Sequence, residues 1–172
     1  MDHGIWYNLA MILYHGSNLV VSIPELIEQN HTLDFGLGFY TTTNRDQAAQ
    51  FAKKVVDRNG GLGLATINRY EFDDSLARQV LDVIVFPEPN DAWLDFIVDN
   101  RGGVYSGPQY DVKIGPVAND NVYTTIQLYM SGVLSRDTAI RELKVRKLFN
   151  QVVFSSQRAL AMLNFAGSEV VG

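Results

Sequence analysis

The sequence has no cysteine and few histidines, and both shortages narrow its chemistry. Its 172 residues include no Cys and three His. Without thiols the chain cannot form disulfides, thiol nucleophiles or thiolate metal sites. Three histidines, only one of them in a suggestive setting, predict no zinc site and no other metal. The lack of cysteine fits the cytoplasm, where we expect the protein to work.

Long apolar runs and an excess of positive charge are also missing. No stretch approaches the roughly 18 apolar residues that span a bilayer, so we expect no membrane association. Lys and Arg number 14 against 19 Asp and Glu, which gives a formal net charge of −5. This balance lacks the broad basic surface of a duplex nucleic-acid binder. A phosphate loop of the type Gly-x-x-x-x-Gly-Lys-Ser/Thr is absent as well.

What is present is enough apolar material for one packed domain. Hydrophobic residues make up 47% of the chain and charged residues 19%, which favours a sizeable core over disorder. We find no internal repeat or linker-like tract, so we expect a single domain over residues 11–172. Residues 1–10 are interpreted as an N-terminal extension, because a strand and a second candidate start both begin at Met11.

Apolar periodicity and turn residues predict a mixed α+β fold rather than regular βαβ alternation. The expected strands cover 11–14, the stretch after Gly38, 64–72, 80–86, 110–114 and 151–154, with an edge strand in the C-terminal tail. The expected helices run from Asn44 or Asp46 to about 58, then over 91–100, 119–130, 136–149 and 156–163. The helices at 119–130 and 136–149 form a late helical insertion.

Three separate positions could carry chemistry. His15 leaves a strand in Tyr14-His15-Gly16-Ser17, where it can present an imidazole while Gly16 lets a ligand touch the backbone. Two glycines precede Phe39 and Tyr40, so a planar heterocycle could approach an aromatic ring. Gln151 starts an apolar strand with an amide that could reach a cleft. Taken singly, each also fits an ordinary structural role, as a solvated loop histidine, a core aromatic beside a turn or a strand-flanking polar residue.

Taken in order, these segments resemble the ADP-ribosyltransferase superfamily, in its histidine–tyrosine branch. More narrowly, the chain is similar to a bacterial family of unknown function that is often encoded as the toxin of toxin–antitoxin loci. The resemblance covers about residues 12–165 and rests on the order and spacing of short fragments. Besides the three segments above, these are Ile67-Asn68-Arg69-Tyr70-Glu71, Trp93-Leu94-Asp95-Phe96-Ile97, Asn100-Arg101, Tyr110-Asp111, Gly115-Pro116-Val117-Ala118-Asn119-Asp120 and Gln151-Val152-Val153-Phe154.

The resemblance implies a split β-sheet core with flanking helices and a site for NAD⁺ as co-substrate. His15 would bind a ribose hydroxyl or the adenosine side, and the Gly16 backbone would bind the nicotinamide carboxamide. Tyr40 would stack on the nicotinamide ring. The secondary candidates are wall residues Tyr14 and Phe39, the close-approach glycine Gly38, hydroxyl donors Ser17 and Thr41, and Arg101 for the pyrophosphate. Arg101 equally fits charge compensation at a helix C-terminus.

Gln151 is the main departure from this pattern, because many superfamily members carry glutamate there. Glutamine keeps a hydrogen bond to the ribose but loses a charge that stabilises the oxocarbenium-like transition state, a contribution on the order of a few kcal/mol. Another carboxylate, with Asp111 and Glu71 as the candidates, could serve instead. Both acids also fit the simpler role of solvated strand-edge carboxylates.

The expected activity is therefore mono-ADP-ribosyl transfer from NAD⁺ to a macromolecular acceptor, protein or nucleic acid, by a toxin-like effector. An antitoxin protein is the expected partner, and the late helices could form its docking surface. Two alternatives stay open: a catalytically weak or inactive module that binds a nucleotide or a partner, and an NAD⁺ glycohydrolase in which water replaces the acceptor.

Overall fold

The computed structural model describes residues 10–28, 33–116, 120–145 and 148–172. Several expectations fall outside these ranges: residues 1–9 of the N-terminal extension, the family-like fragment Val117-Ala118-Asn119, and residues 146–147 of the second late helix. Within the described ranges no helix is long and apolar enough to cross a membrane.

The described chain contains seven strands and six helices, a mixed α+β architecture as the sequence predicts. In chain order the elements are β1 Met11–Ser17, β2 Phe39–Thr42, α1 Arg45–Arg58, β3 Thr66–Phe72, α2 Asp74–Val80, β4 Val83–Val85, α3 Asp91–Arg101, β5 Val112–Pro116, α4 Asp120–Met130, α5 Arg136–Lys144, β6 Asn150–Phe154, α6 Gln157–Leu160 and β7 Leu163–Val170.

All seven strands belong to one sheet in the order β4-β5-β6-β2-β1-β3-β7. Only β4 and β5 run parallel, and every other neighbouring pair is antiparallel. Strands β1 and β3 pair along seven residues, whereas β1 and β2 share the single pair Tyr14↔Thr42. The sheet is therefore nearly divided into two halves, which separate on the side of this pair that holds His15 and Tyr40.

Each face of the sheet carries its own apolar cluster, because side chains alternate along a strand. We call these the first and second clusters. The first includes Leu13, Phe39, Tyr70, Phe72, Val112, Val152, Phe154, Ala159 and Leu160. The second includes Phe35, Phe86, Trp93, Leu94, Phe96, Ile97, Val122, Ile126, Leu143 and Val153. Neighbours Val152 and Val153 thus point into different clusters, and helices α3, α4 and α5 cover the second one.

Side-chain caps define several helix starts. Asn44 accepts a hydrogen bond from Gln47 N before α1, and Asn90 accepts one from Trp93 N before α3. Both satisfy a backbone donor that would otherwise have no partner at the first turn. These capping residues explain why the starts of α1 and α3 agree with the sequence prediction to within a residue or two.

The expected strand over 80–86 is largely wrong. Asp73 caps a helix that the sequence reading missed, since its side chain accepts from Leu76 N, and Val80 is the last residue of that helix. Only Val83–Val85 form a strand. The short helix expected over 156–163 is also shorter, ending at Leu160, because Leu163 already begins β7. The expected C-terminal edge strand is confirmed as β7.

Candidate functional site

Three neighbouring strands bring the predicted positions together. His15 lies on β1, Tyr40 on β2 and Gln151 on β6, and β2 stands between the other two. Thr42 pairs with Tyr14 on one side and with Gln151 on the other. Segments that are up to 136 positions apart in sequence therefore meet in one place. We call this place the junction, defined by His15, Tyr40, Thr42 and Gln151.

The imidazole of His15 bridges the two strands where they separate. Its Nδ1 lies 2.7 Å from the main-chain oxygen of Tyr40, and its ring centroid is 4.3 Å from that of Phe39. A carbonyl only accepts hydrogen bonds, so Nδ1 carries the proton and Nε2 is the acceptor of the neutral ring. Burial lowers the pKa of His15, although the bond to Tyr40 acts in the opposite direction. The ring is therefore neutral at pH 7.

Tyr40 holds a turn rather than presenting its hydroxyl to an open site. The hydroxyl donates to Gly36 O at 2.7 Å and accepts from Phe35 N at 3.1 Å. Burial raises the pKa of this phenol, so it stays protonated at all physiological pH values. The side chain packs against the second cluster. In this structure, then, Tyr40 fixes residues 33–36 against the sheet.

The side chains of His15 and Tyr40 do not share one face, which corrects the expectation of a single cleft lined by both. Phe39 belongs to the first cluster and touches the His15 ring, whereas Tyr40 packs against the second cluster. Adjacent strand residues point to opposite faces, which explains the difference. A ligand that contacts both side chains would therefore have to reach between β1 and β2, which the His15–Tyr40 hydrogen bond spans.

Gln151 brings an unsatisfied amide to the junction. The residue is 4% exposed, and its Nε2 has no hydrogen-bond partner among the described residues. Opposite it, the Thr42 hydroxyl donates to Gln47 Oε1 at 2.7 Å, which ties the pair to the first turn of α1. A buried amide donor without a partner lowers the stability of the fold by on the order of 1–3 kcal/mol. An unpaired amide at this position therefore needs an explanation, such as a ligand that accepts its hydrogen bond.

Gly16 and Gly38 have steric reasons for being there. A Cβ on Gly16 would lie 2.2 Å from Ala48 O in α1, so this glycine lets the helix pack directly on β1. A Cβ on Gly38 would lie 2.5 Å from Val153 Cγ1. Both positions therefore need glycine for packing. The sequence had instead predicted that these glycines let a ligand approach the backbone.

Two of the remaining candidates, Thr41 and Arg101, have side-chain partners within the protein. Thr41 donates its hydroxyl to Val152 O at 2.7 Å, while Tyr14 and Ser17 are partly buried on β1 opposite Arg69 and Thr66. Arg101 pairs with Asp34 in a partly buried ion pair. Its guanidinium also lies 4.6 Å from the centre of the Tyr123 ring. Arg101 thus connects α3, the 33–36 turn and α4, and its contact with a pyrophosphate stays a prediction.

Neither acid proposed as a substitute for glutamate is near Gln151. Asp111 lies at the opposite end of the β5–β6 pair, where it accepts from Asp82 N at 3.0 Å and from the Ser156 hydroxyl. Burial raises the pKa of Asp111, but these hydrogen bonds and the charge of Arg158 outweigh it, so the net shift is downward. Glu71 is exposed on β3, separated from β6 by two strands. Asp111 therefore has a structural role, and neither acid lies where it could replace a glutamate at position 151.

Two buried polar residues on the sheet, Asn68 and Lys113, were not predicted to be functional from the sequence. Asn68, fully buried beside β1, accepts from Val21 N at 2.8 Å and donates to Leu19 O at 3.2 Å, which holds residues 19–21 over the sheet. Lys113 is 6% exposed on β5. Its signal was a lysine inside the otherwise apolar strand Val112-Lys113-Ile114. Lys113 and Ser155 line a cleft of about 390 Å³ on the side of the sheet that carries the second cluster.

In the part of the chain that the structure describes, no cluster of His, Asp or Glu could hold a metal ion. No curated protein matches the chain, and no solved structure matches it. A family model described as "Protein of unknown function (DUF3990)" matches residues 11–165, and this span contains the junction. The match covers most of the 172 residues, so the chain belongs to the DUF3990 family of proteins of unknown function.

Proposed function

We propose that this chain has the ADP-ribosyltransferase fold and transfers ADP-ribose from NAD⁺ to a macromolecular acceptor, with release of nicotinamide. The reacting end of NAD⁺ would lie in the gap where β1 and β2 separate. Support comes from the near-division of the sheet at Tyr14↔Thr42 and from the three adjacent strands that carry His15, Tyr40 and Gln151. The resemblance of the ordered sequence segments to that superfamily points the same way.

The charge state of His15 suits this substrate. The nicotinamide ring of NAD⁺ is cationic, and a neutral imidazole avoids repelling it. With Nδ1–H engaged by Tyr40 O, Nε2 can accept a hydrogen bond from a ribose hydroxyl. His15 would therefore orient the sugar and take no proton from it. A fixed orientation lowers the entropy cost of reaching the transition state.

The unsatisfied amide of Gln151 is the observation that carries the proposal. Its buried Nε2 lacks a partner among the described residues. Gln151 lies on the sheet face of Tyr40 and Thr42, so a ligand hydroxyl that reaches this face would supply the missing acceptor. The amide oxygen of Gln151 could also accept a hydrogen bond from a second hydroxyl of the ligand. Because glutamine has no charge, it stabilises a developing oxocarbenium ion less than glutamate does. We therefore expect slow transfer.

The same neutral amide also favours a second candidate, a module of this fold that binds a nucleotide without cleaving it. A third outcome of the same site is hydrolysis, with water in place of the acceptor. A toxin-like role in the cytoplasm and a neutralising antitoxin belong to the leading proposal. Growth arrest of a bacterial host on expression of the chain, relieved in His15→Asn, would support that part.

Nicotinamide release from NAD⁺, measured with and without cell lysate, separates these candidates. Transfer predicts release that increases with lysate and labels a macromolecule, whereas hydrolysis predicts equal release and free ADP-ribose. Gln151→Met removes the amide at nearly the same volume, and Gln127→Met makes the same change at an exposed position of α4. We expect nicotinamide release to fall in Gln151→Met and to stay unchanged in Gln127→Met. Nucleotide binding without nicotinamide release by the wild-type protein, at high concentration and long incubation, would support the nucleotide-binding module instead.

A further inference from the structure

The cleft beside Lys113 is separate from the junction. Its lining comes from the 33–38 segment, the end of α3, residues 103–109, β5 and Ser155. On the paired strands β5 and β6, Lys113 stands opposite Val153, whereas Gln151 stands opposite Gly115. The cleft therefore opens toward the Ser155 end of these strands and away from Gln151.

Lys113 is a buried cation without a buried anion. Its Nζ donates to Phe35 O at 2.8 Å, and none of the described carboxylates lies within 4.0 Å of it. An ammonium group has three donors, so two are not accounted for by that bond. Burial lowers the pKa of Lys113 to about 8, which leaves the group mostly protonated at pH 7.

Further polar atoms face the same space. Ser155 Oγ is buried and has no hydrogen-bond partner among the described residues. Asn100 donates its amide to Phe96 O at 2.8 Å, so its Oδ1 is left as an acceptor. A Cβ on Gly36 would lie 2.7 Å from Asn100 Oδ1 and 3.7 Å from Lys113 Nζ, and one on Gly38 would lie 2.9 Å from Ser155 Oγ. A side chain at either position would therefore crowd these polar atoms.

We propose that this cleft binds a phosphorylated small molecule, with the phosphate on Lys113 Nζ and Ser155 Oγ and a hydroxyl of the ligand on Asn100 Oδ1. An oxyanion supplies the negative charge that the buried ammonium lacks and accepts from the serine hydroxyl. The acceptor on Asn100 calls for a ligand that also carries a donor, such as a sugar hydroxyl. At about 390 Å³ the cleft has room for more than a phosphate alone.

Titration calorimetry with ribose 5-phosphate tests this site, with ribose as the uncharged probe and NAD⁺ absent from every arm. We expect the phosphate ester to bind and ribose not to bind. Lys113→Met should weaken binding by about tenfold or more, since a hydrogen bond to a charged group is worth roughly 1.5–3 kcal/mol. Ser155→Ala should weaken it less, and Lys53→Met, which removes an exposed lysine of α1, should not change it.

Because Lys113→Met alters the core, Ser155→Ala is the variant that keeps the test valid if the first does not fold. Equal binding of ribose and ribose 5-phosphate would overturn the proposal, as would no binding of the ester at about 10 mM, a concentration at which even a millimolar ligand is detected. Wild-type affinity in both cleft variants would overturn it too. None of these results depends on whether the protein releases nicotinamide.

Discussion

The junction and the Lys113 cleft both bury polar groups in one sheet, but they hold them in different charge states. At the junction, burial lowers the pKa of His15 and raises that of Tyr40, and Gln151 carries no charge. In the cleft, Lys113 has a pKa of about 8 and keeps its proton at pH 7. A neutral junction tolerates a cationic nicotinamide ring, whereas a cationic cleft selects an anion. The two proposed sites would therefore differ in the charge of the ligand that they select.

The two regions share a single support, the turn at residues 33–36. Tyr40 binds this turn through Phe35 N and Gly36 O, and Lys113 binds it through Phe35 O. Changes in the turn should therefore affect both regions, while changes at His15 or Lys113 should affect one each. The following variants separate these cases, in order of decreasing expected effect.

Phe35→Ala should cause the largest decrease in the free energy of unfolding. Phe35 is fully buried and packs on Phe86 and Phe96 with ring centroids 6.0 and 5.5 Å away. Truncating such a ring typically lowers the free energy of unfolding by about 3–5 kcal/mol. Urea denaturation measures the change, and Leu37→Ala, at a half-exposed position two residues on, is the control. A loss no larger than that of the control would show that the turn is not a common support.

Lys113→Met should change the alkaline part of the stability profile. The pKa of Lys113 is about 8 in the folded protein and near 10.5 in the unfolded chain, so between these values the unfolded state binds more protons. The wild-type free energy of unfolding should then rise relative to the variant as pH increases from 8 to 10.5, by about 3 kcal/mol in total. Parallel profiles for the two proteins would contradict a desolvated ammonium.

Tyr40→Phe removes only a hydroxyl but leaves Gly36 O and Phe35 N without their partner. We expect the free energy of unfolding to fall by about 2 kcal/mol, the usual cost of such unpaired buried groups. Tyr123→Phe, at a position that is 52% exposed, is the matched control and should change little. If both variants were equally stable, the hydroxyl of Tyr40 would not hold the turn.

His15→Asn should have the smallest effect, and only in acid. The asparagine amide can replace Nδ1–H as a donor to Tyr40 O, but it does not titrate. Because burial lowers the pKa of His15, the unfolded state binds more protons below pH 6.5. Wild-type stability should therefore fall relative to the variant by about 1 kcal/mol per pH unit from 6.5 downward. Thermal denaturation from pH 7.5 to 5 measures this difference, and an unchanged difference would mean that His15 is not desolvated.

The sequence predicted the fold class and most elements, because capping residues and apolar periodicity act locally. Of the two caps predicted for the first helix, the structure confirms Asn44, and the helix expected from residue 91 begins there. The meeting of His15, Tyr40 and Gln151 on adjacent strands followed from a resemblance and not from any pattern in the residues. What the sequence could not supply was strand register, which decides the face on which each side chain lies. For that reason the opposite orientations of His15 and Tyr40 were not foreseen.

The burial of Lys113 likewise depends on a contact that local sequence does not predict. A lysine within an apolar strand was visible in the sequence, but its burial depends on the 33–36 turn, where its partner Phe35 lies 78 positions away. Asp111 and Glu71 were candidates only because separation cannot be read from sequence, and the register of the sheet removes them from Gln151.

The central claim is that NAD⁺ lies in the gap between β1 and β2 and contacts His15 Nε2. The most direct test is the ¹⁵N NMR spectrum of the histidine side chains during titration with NAD⁺, with His15→Asn identifying the resonances. The account predicts a large shift of Nε2 and almost none of Nδ1, which stays bonded to Tyr40 O. Unchanged His15 resonances at NAD⁺ concentrations that saturate binding would contradict it.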